Sequence, residues 1–379
     1  MTLLHIGFLV NPIAGMGGRV GLKGTDGVVE RARELGAEPV SPDRAEDFLD
    51  ALSPLFEDDK HDVSLTVCPG EMGAKECENE NLPFETVHLD ISDETTADDT
   101  KRCVLALADA GVDIIAFVGG DGTARDILDA IKDHGLEDIL VIGIPAGVKM
   151  YSAIFVLNPR DAAEVIRLVE EGKTGETEFE IMDIDEEAFR NDELEIRLYG
   201  YMKGPSVPAR FQGAKQASPA TVDEKEAQEA IARYILENMD ENETYILGPG
   251  TTVKSVADLL EIKKTTLGVD LYKDGEVHND LNEDQILDLV DDFSKTKIIV
   301  SPIGHQGMLF GRGNQQISPK IIKKVERDDI IVMSTPSKLK GIEGGTLKVD
   351  TGDNSVDEML RGYIRVLTDY KEIRLVKIE

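Results

Sequence analysis

Residues 112–123 read Val-Asp-Ile-Ile-Ala-Phe-Val-Gly-Gly-Asp-Gly-Thr, a short apolar run followed directly by three glycines and one carboxylate. The apolar run predicts a strand that is buried on both faces of a parallel sheet. Gly119, Gly120 and Gly122 allow a sharp turn and the close approach of a ligand to the backbone. Asp121 follows the carboxyl end of the strand, which is where open α/β sheets bind their ligands.

A helix is predicted directly after this turn, over residues 124–132. We expect Thr123 to open this helix as its cap, and the Asp121 side chain to be exposed in the turn before it. The N-terminus of a helix attracts phosphate through its free N–H groups and its dipole. Asp126 lies in the first turn, where a carboxylate interacts favourably with the dipole.

Strand and helix patterns alternate through the first half of the chain. Strand patterns cover residues 4–10, 62–67, 84–89, 113–118 and 139–144. Helix patterns cover residues 27–35, 45–56, 96–110 and 159–171, the last with Asn158 as its expected cap. This βαβ rhythm implies a parallel sheet flanked by helices.

A change of pattern marks the second half. Polar and apolar residues alternate over 178–185 and 193–201, which predicts a hairpin with one wet face. The βαβ rhythm then returns, with helix patterns over residues 224–238, 252–260, 283–293, 319–326 and 356–367. Strand patterns cover residues 244–247, 265–271, 297–300, 330–334, 346–349 and 373–377. We predict an α/β protein with a first domain over residues 1–175 and a second α/β domain over 176–379. The C-terminal helix and strand are candidates for packing back on the first domain.

The first predicted strand also ends in a glycine-rich loop. Asn11, Gly15, Gly17 and Gly18 follow it and suit a backbone nest for an anion. The loop fails the dinucleotide pattern Gly-x-Gly-x-x-Gly because Val20 occupies the sixth position. It also lacks the Gly-Lys-Ser/Thr of the P-loop. An alternative is that this loop binds no ligand.

Two later strand ends have similar loops. Residues 143–152 read Gly-Ile-Pro-Ala-Gly-Val-Lys-Met-Tyr-Ser, in which Lys149 is either a phosphate partner or an exposed surface lysine. Gly248, Gly250 and Thr251 stand between a strand and a helix start, again as phosphate turns do.

The five residues Gly119-Gly120-Asp121-Gly122-Thr123 resemble the signature of the NAD kinases and of their relatives, the diacylglycerol and sphingosine kinases. The start of the loop at Asn11 and the segments 143–152 and 301–316 resemble the ATP–NAD kinase-like, or acetoin-cluster protein X (AcoX)-like, branch of that superfamily. In the lipid kinases the turn continues Thr-x-Asn-Glu, whereas this chain has Arg125 in place of the asparagine. That departure weakens the resemblance to the lipid kinases.

The resemblance implies an NAD kinase-like first domain and phosphoryl transfer from ATP, or from polyphosphate, to the 2′-hydroxyl of NAD, giving NADP. Asp121 is then either the base that accepts the hydroxyl proton or a ligand of Mg²⁺, and Asp126 is a second candidate for the metal. The glycine amides would hold phosphates, and Arg312, Asn314 and Gln315 are further candidates for contacts with a nucleotide.

Composition limits the partners. The chain has 379 residues and a formal net charge of −33, which disfavours binding to nucleic acid and to anionic membrane surfaces. Binding of polyanionic nucleotides then requires Mg²⁺ and local basic groups, for which Arg19, Lys149 and Arg125 are the candidates. We expect NAD and ATP as small-molecule ligands and a homo-oligomeric assembly.

The three cysteines, Cys68, Cys77 and Cys103, match no zinc or redox spacing and are expected to be reduced thiols of a cytoplasmic protein. The chain has no apolar run of the length that a membrane span needs. No His/Cys set has metal-ligand spacing, so any metal is expected to be Mg²⁺. The alternatives to an NAD kinase are a kinase of another small hydroxyl metabolite or lipid, and a nucleotide-binding regulator without catalysis.

Overall fold

The structure is a computed structural model that describes residues 3–18, 20, 22, 29–57, 61–92, 94–146, 150–184, 196–207, 222–303 and 307–379. Contacts divide the chain into two compact units. The first includes the described residues within 3–17 and 29–207, and the second includes residues 18, 20 and 22 and those within 222–379. Each unit contains a sheet with helices packed on it, so the predicted α/β class and the parallel first sheet are confirmed.

The first unit is built on a five-stranded parallel sheet. Its strands are β1 (Leu4–Val10), β2 (Val63–Val67), β3 (Glu85–Thr86), β4 (Ile114–Gly119) and β5 (Leu140–Pro145). Their order in the sheet is β3-β2-β1-β4-β5. Its helices are Val29–Glu34, Ser41–Leu52, Pro54–Glu57, Ala74–Asn79, Ala97–Asp109, Asp121–His134 and Pro159–Glu170. As predicted, the last of these is capped by Asn158, whose side chain accepts from the N–H of Asp161.

Both faces of this sheet are buried, which explains its nearly continuous apolar strands. Side chains of a strand point alternately to opposite faces. In β1, Phe8 and Val10 join a cluster with Phe48 on one face, while Leu9 joins a second cluster with Ile127 on the other. The sheet therefore has one hydrophobic core on each side.

A two-stranded antiparallel hairpin follows, formed by β6 (Gly175–Ile184) and β7 (Ile196–Ser206). The hairpin was expected from the sequence, but the structure groups it with the first unit, whereas the sequence suggested a boundary at residues 175 and 176. The physical reason is burial, because Ile181 and Met202 are part of the first unit's core.

The second unit contains a seven-stranded sheet and a separate pair of strands. The strands are β8 (Thr244–Leu247), β9 (Asp270–Lys273), β10 (Glu276–His278), β11 (Thr296–Val300), β12 (Met308–Phe310), β13 (Ile330–Met333), β14 (Lys348–Val349), β15 (Gly362–Asp369) and β16 (Glu372–Ile378). The order in the large sheet is β10-β9-β8-β11-β13-β15-β16, and the pair is β12-β14. The helices are Val222–Glu237, Thr251–Leu259, Glu283–Leu289, Pro319–Ile322, Pro336–Lys340 and Asn354–Leu360. The central strands β8, β11, β13 and β15 are parallel to one another.

Several predicted elements of the second unit differ from the structure. The helices predicted over 283–293 and 319–326 end earlier, at Leu289 and Ile322. The strand predicted over 265–271 begins only at Asp270, because the buried Asp270 carboxylate accepts from Thr265 and Asp280 and holds the preceding residues in a loop. The helix predicted over 356–367 ends at Leu360, and β15 follows. Residues 363–366 of β15 alternate between exposed and buried, and β15 and β16 complete the edge of the second unit's sheet.

Among the described residues, no helix combines the length and the apolar character that crossing a membrane requires. The three cysteines are buried and free, as expected.

The tight packing at Gly143 yields a stability prediction. A Cβ at this position in β5 would lie 2.6 Å from Cδ1 of Phe155 and 2.9 Å from Cζ of Phe117, two rings that already pack edge to face. We expect Gly143→Ala to lower the free energy of unfolding by about 1–3 kcal/mol through overpacking, measured by urea denaturation. Gly175→Ala is the control, since its nearest neighbour would be Ser206 Cβ at 3.9 Å. Equal stabilities of the two variants would contradict the prediction.

Candidate functional site

The order of strands in the first unit creates a site between β1 and β4. The chain moves outward from β1 to β2 and β3, then crosses back to β4 and continues to β5 on the other side. Adjacent strands whose connections leave in opposite directions form a crevice at their carboxyl ends, where ligands of open α/β sheets bind. The loop after β1 and the turn after β4 both lie at this edge.

Hydrogen bonds join these two loops directly. The Nδ2 of Asn11 donates to Oγ1 of Thr123 over 2.9 Å, and the backbone N–H of Asn11 donates to the carbonyl of Val118 over 2.9 Å. Oδ1 of Asn11 in turn accepts from the N–H of Ile13. Asn11 therefore fixes its own loop and attaches it to the first turn of the helix Asp121–His134.

Asp121 is buried, with 8% of its surface exposed, so the expectation of an exposed turn residue was wrong. It is the first residue of the helix Asp121–His134, which starts three residues earlier than predicted. Its Oδ2 accepts the N–H of Tyr151, and its Oδ1 accepts the N–H of Ser152, both over 2.8 Å. Burial and the charge of Asp121 raise the pKa of the Tyr151 phenol, which therefore stays neutral. The carboxylate is oriented by the chain segment that follows β5.

The glycines around Asp121 serve packing as well as the turn. Gly120, and not Thr123, is the N-cap of the helix, and its N–H donates to Oγ1 of Thr123 over 3.4 Å. A Cβ at Gly119 would lie 2.6 Å from the Thr123 side chain, so the turn excludes any larger residue there. Gly122 lies in the first turn of the helix, whose free N–H groups face the carboxyl edge.

The glycines of the first loop are buried together, and one of them has a clear packing role. Gly15 has a φ of 84°, and a Cβ there would lie 2.0 Å from the carbonyl oxygen of Ala146. Gly15 is therefore required by its contact with the end of β5. Gly17 and Gly18 continue the same turn, and they remain predicted phosphate contacts.

Arg125 is the one predicted basic residue of the site that the structure describes, since Arg19 and Lys149 lie outside the described residues. Arg125 forms an ion pair with Asp183 of the hairpin. Asp126 is half-buried on the same helix.

The described residues contain no group of three or more His, Cys, Asp or Glu side chains that is arranged to hold a metal ion.

In the second unit, the predicted phosphate turn lies at the carboxyl end of β8. The N–H of Gly248 donates to Ile299 and that of Gly250 to Thr266, which shapes the turn. Gly250 has a φ of 108°, and a Cβ there would meet no atom within 4 Å, so the space beside it is open. Thr251 begins the helix Thr251–Leu259, which has no side-chain cap.

The segment after β12 is buried and polar. Asn314 stabilises its own loop, accepting from Gly311 N–H and donating to the Leu309 carbonyl. Arg312 is buried as well. The Oε1 atoms of Gln315 and Gln316 are buried without a hydrogen-bond partner among the described residues.

A polar cluster that the sequence analysis missed lies at the carboxyl edge of the second sheet. It contains Thr252, Ser301, Thr335 and Lys338, together with Glu224 from the helix Val222–Glu237. The sequence signal was available, since Ser334-Thr335-Pro336-Ser337-Lys338 follows a strand and has proline at a helix start.

Two family models match the chain. A model of the ATP-NAD kinase N-terminal domain matches residues 6–174, and a model of the ATP-NAD kinase C-terminal domain matches residues 240–378. The first match contains the loops of Asn11 and Asp121, and the second contains Gly248, Gly250 and Lys338. The comparison with curated proteins found no match.

Solved structures show only remote similarity. UDP-GlcNAc 2-epimerase from Neisseria meningitidis, bound to UDP-GlcNAc, is 10% identical over 38% of this chain and 32% of its own, with a TM-score of 0.23. MurG from Acinetobacter baumannii is 15% identical over 38% and 34%, with a TM-score of 0.21. The putative UDP-N-acetylglucosamine 2-epimerase from Listeria monocytogenes is 12% identical over 95% and 88%, with a TM-score of 0.25. The chain thus spans about a third of the length of the first two, and these scores carry no inference.

The bond between Asn11 and Thr123 can be tested by a double-mutant cycle. Asn11→Ala and Thr123→Val each remove one partner, so each should lower the free energy of unfolding by about 1–2 kcal/mol. Because the two side chains contact each other, the double variant should lose less than the sum of the single losses, with a coupling energy of at least about 0.5 kcal/mol. Strict additivity in urea denaturation would show that the two loops are not joined by this bond.

Proposed function

The chain belongs to the NAD kinase-like family, whose members are phosphotransferases with an alcohol group as acceptor, and we propose that this protein is an NAD kinase. In the proposed reaction, the terminal phosphoryl group of ATP, or of polyphosphate, is transferred to the 2′-hydroxyl of the adenosine ribose of NAD, giving NADP.

The observation that carries the proposal is the junction of the two loops at the carboxyl ends of β1 and β4. Asn11 and Thr123 are hydrogen-bonded there, and the helix Asp121–His134 begins at the same place. Phosphoryl transfer depends mainly on positioning and on stabilisation of negative charge, not on covalent chemistry of the protein. A helix N-terminus beside a glycine loop supplies backbone donors for both needs.

Asp121 is the proposed catalytic residue. Each of its oxygens accepts one backbone N–H, and a carboxylate has about four acceptor positions in all. The two N–H donors hold the carboxylate in one orientation. In this role Asp121 accepts the proton of the 2′-hydroxyl as that oxygen attacks the phosphorus.

Mg²⁺ is the metal that the family implies, and the described side chains form no cage for it. Mg²⁺ in nucleotide sites is bound largely by phosphate oxygens and water, so it would enter with the phosphoryl donor. Asp126 is the remaining candidate for a protein ligand.

Two other functions stay open to the same test. A kinase for a different small hydroxyl compound would share the phosphate loops and differ in the acceptor. A nucleotide-binding regulator would bind the nucleotides and transfer nothing.

The deciding experiment incubates the protein with NAD, Mg²⁺ and either ATP or polyphosphate, and then measures NADP with an NADP-specific cycling assay. NADP formation supports the proposal, and the donor that sustains it identifies the phosphoryl source. Calorimetry of ATP and NAD binding separates the alternatives. If ATP binds but NAD neither binds nor reacts, a kinase of another acceptor replaces the proposal. If both nucleotides bind and no phosphoryl group is transferred, the protein is a regulator.

Replacement of Asp121 gives the sharpest prediction for this site. In Asp121→Asn the amide cannot act as a base, so we expect kcat to fall by ~10²–10⁴. One amide NH₂ would also face a buried backbone N–H, so the free energy of unfolding should fall by about 1–3 kcal/mol.

Asp133→Asn is the matched control, because Asp133 is exposed near the far end of the same helix. It should keep both activity and stability. If Asp121→Asn is destabilised but retains more than half of the wild-type kcat, Asp121 is a structural residue and the catalytic assignment is wrong.

A further inference from the structure

The ammonium group of Lys338 lies at the carboxyl edge of the second unit's sheet. Its Nζ donates to Oγ of Ser301 over 2.9 Å and to Oγ1 of Thr252 over 3.5 Å. Thr252 follows β8, Ser301 follows β11, and Lys338 follows β13, so the cluster joins the ends of three strands that are adjacent in the sheet. Such an edge is where parallel sheets bind ligands.

This lysine lacks a direct counter-ion. Within the described part of the chain, no carboxylate lies within 4.0 Å of its Nζ. Glu224 is the nearest charge partner in the cluster, but its two oxygens accept from the hydroxyls of Thr335 and Ser337. Burial lowers the pKa of Lys338 to about 8, against a smaller opposing effect of Glu224. The side chain is therefore mostly charged at neutral pH, in a place that favours its neutral form.

The hydroxyls around Lys338 can also donate hydrogen bonds to a ligand. Ser301 and Thr252 accept from the ammonium, which leaves their own hydroxyl protons free to point elsewhere. Thr252 also belongs to the first turn of the helix Thr251–Leu259, whose first N–H groups have no intrahelical acceptor. The space beside Gly250 is open, so a ligand can reach this turn.

We propose that Lys338, Thr252, Ser301 and the N-terminus of the helix Thr251–Leu259 form a binding site for a phosphate group in the second unit. A phosphate would give the ammonium the counter-ion it lacks and would accept from the hydroxyls and the helix. A local cation is needed because the net charge of −33 otherwise repels a polyanion.

The ligand class is a phosphate ester or the phosphate chain of a nucleotide. That this phosphate belongs to ATP or to NAD rests on the proposed function, whereas the existence of the site does not.

The test measures binding without any reaction. Calorimetry with inorganic pyrophosphate, ATP and NAD is carried out on wild-type protein, on Lys338→Met and on Lys340→Met. Lys340 is exposed on the same short helix and serves as the matched control. We expect Lys338→Met to weaken pyrophosphate binding about tenfold or more, through loss of a charge-assisted hydrogen bond, and Lys340→Met to bind as wild type does. The nucleotide whose affinity falls in parallel is the physiological source of the phosphate.

A second measurement uses the wild-type chain alone and does not depend on the folding of a variant. Reductive methylation with ¹³C-formaldehyde labels the lysines, and the ¹³C resonance of Lys338 is followed against pH with and without pyrophosphate. Bound phosphate stabilises the charged form, so the pKa of the labelled Lys338 should rise from its depressed value. A rise specific to Lys338 supports the site.

Unchanged affinity in Lys338→Met, or a pyrophosphate response confined to other lysines, would overturn the inference. The phosphate site and the proposed function can fail independently of each other. Pyrophosphate binding at Lys338 without NADP formation leaves the site intact and removes the NAD kinase proposal. If Lys338→Met forms NADP as the wild type does and pyrophosphate does not bind at Lys338, the NAD kinase proposal stands and the phosphate site is removed.

Discussion

The carboxylate of Asp121 connects the parts of the first unit that the sheet alone does not hold together. Its two bonds to the N–H groups of residues 151 and 152 attach the chain after β5 to the start of a helix that follows β4. From there, Oγ of Ser152 accepts the N–H of Met182, and the N–H of Ala153 donates to the carbonyl of Glu180. These bonds act together with the packing of Ile181 and Met202 and the ion pair of Arg125 with Asp183 to hold the hairpin in the first unit. A group in this position is well suited to chemistry because its orientation is fixed by backbone, not by other side chains.

The two units place different charged groups at the carboxyl edges of their sheets. In the first, the described charges near the edge include the buried Asp121, the ion pair of Arg125 with Asp183, and the buried Arg44, whose Nε donates to the carbonyl of Pro145. In the second, Lys338 is a cation whose nearest acid already accepts two hydroxyls. The proposed base, Asp121, belongs to the first unit, and the proposed phosphate site at Lys338 belongs to the second.

The sequence predicted elements well where local pattern decides them. The apolar strands β1, β4 and β5 were found within one residue at each end, because strands buried on both faces read as continuous apolar runs. Residues 362–367 were misassigned to a helix. Their pattern of polar and apolar residues fits a helix or a strand, and pairing with β13 and β16 decides in favour of the strand. The burial of Asp121 was missed because its partners lie 30 and 31 residues away. Lys338 was missed for the same reason, since Ser301 and Thr252 approach it only in the folded sheet.

Glycine-rich loops illustrate why a site is harder to predict than a fold. A glycine can be required because a ligand approaches the backbone or because another part of the protein does, and the sequence looks the same in both cases. In this structure Gly15 is required by the carbonyl of Ala146 and Gly119 by the side chain of Thr123, so both are explained by packing alone. At Gly250 the position of a Cβ is open, although the loop ends at an uncapped helix N-terminus beside Lys338. The φ of 108° by itself favours glycine at this position, so Gly250 too is explained without a ligand, and only the ammonium of Lys338 with its hydroxyl neighbours points to phosphate binding in the second unit.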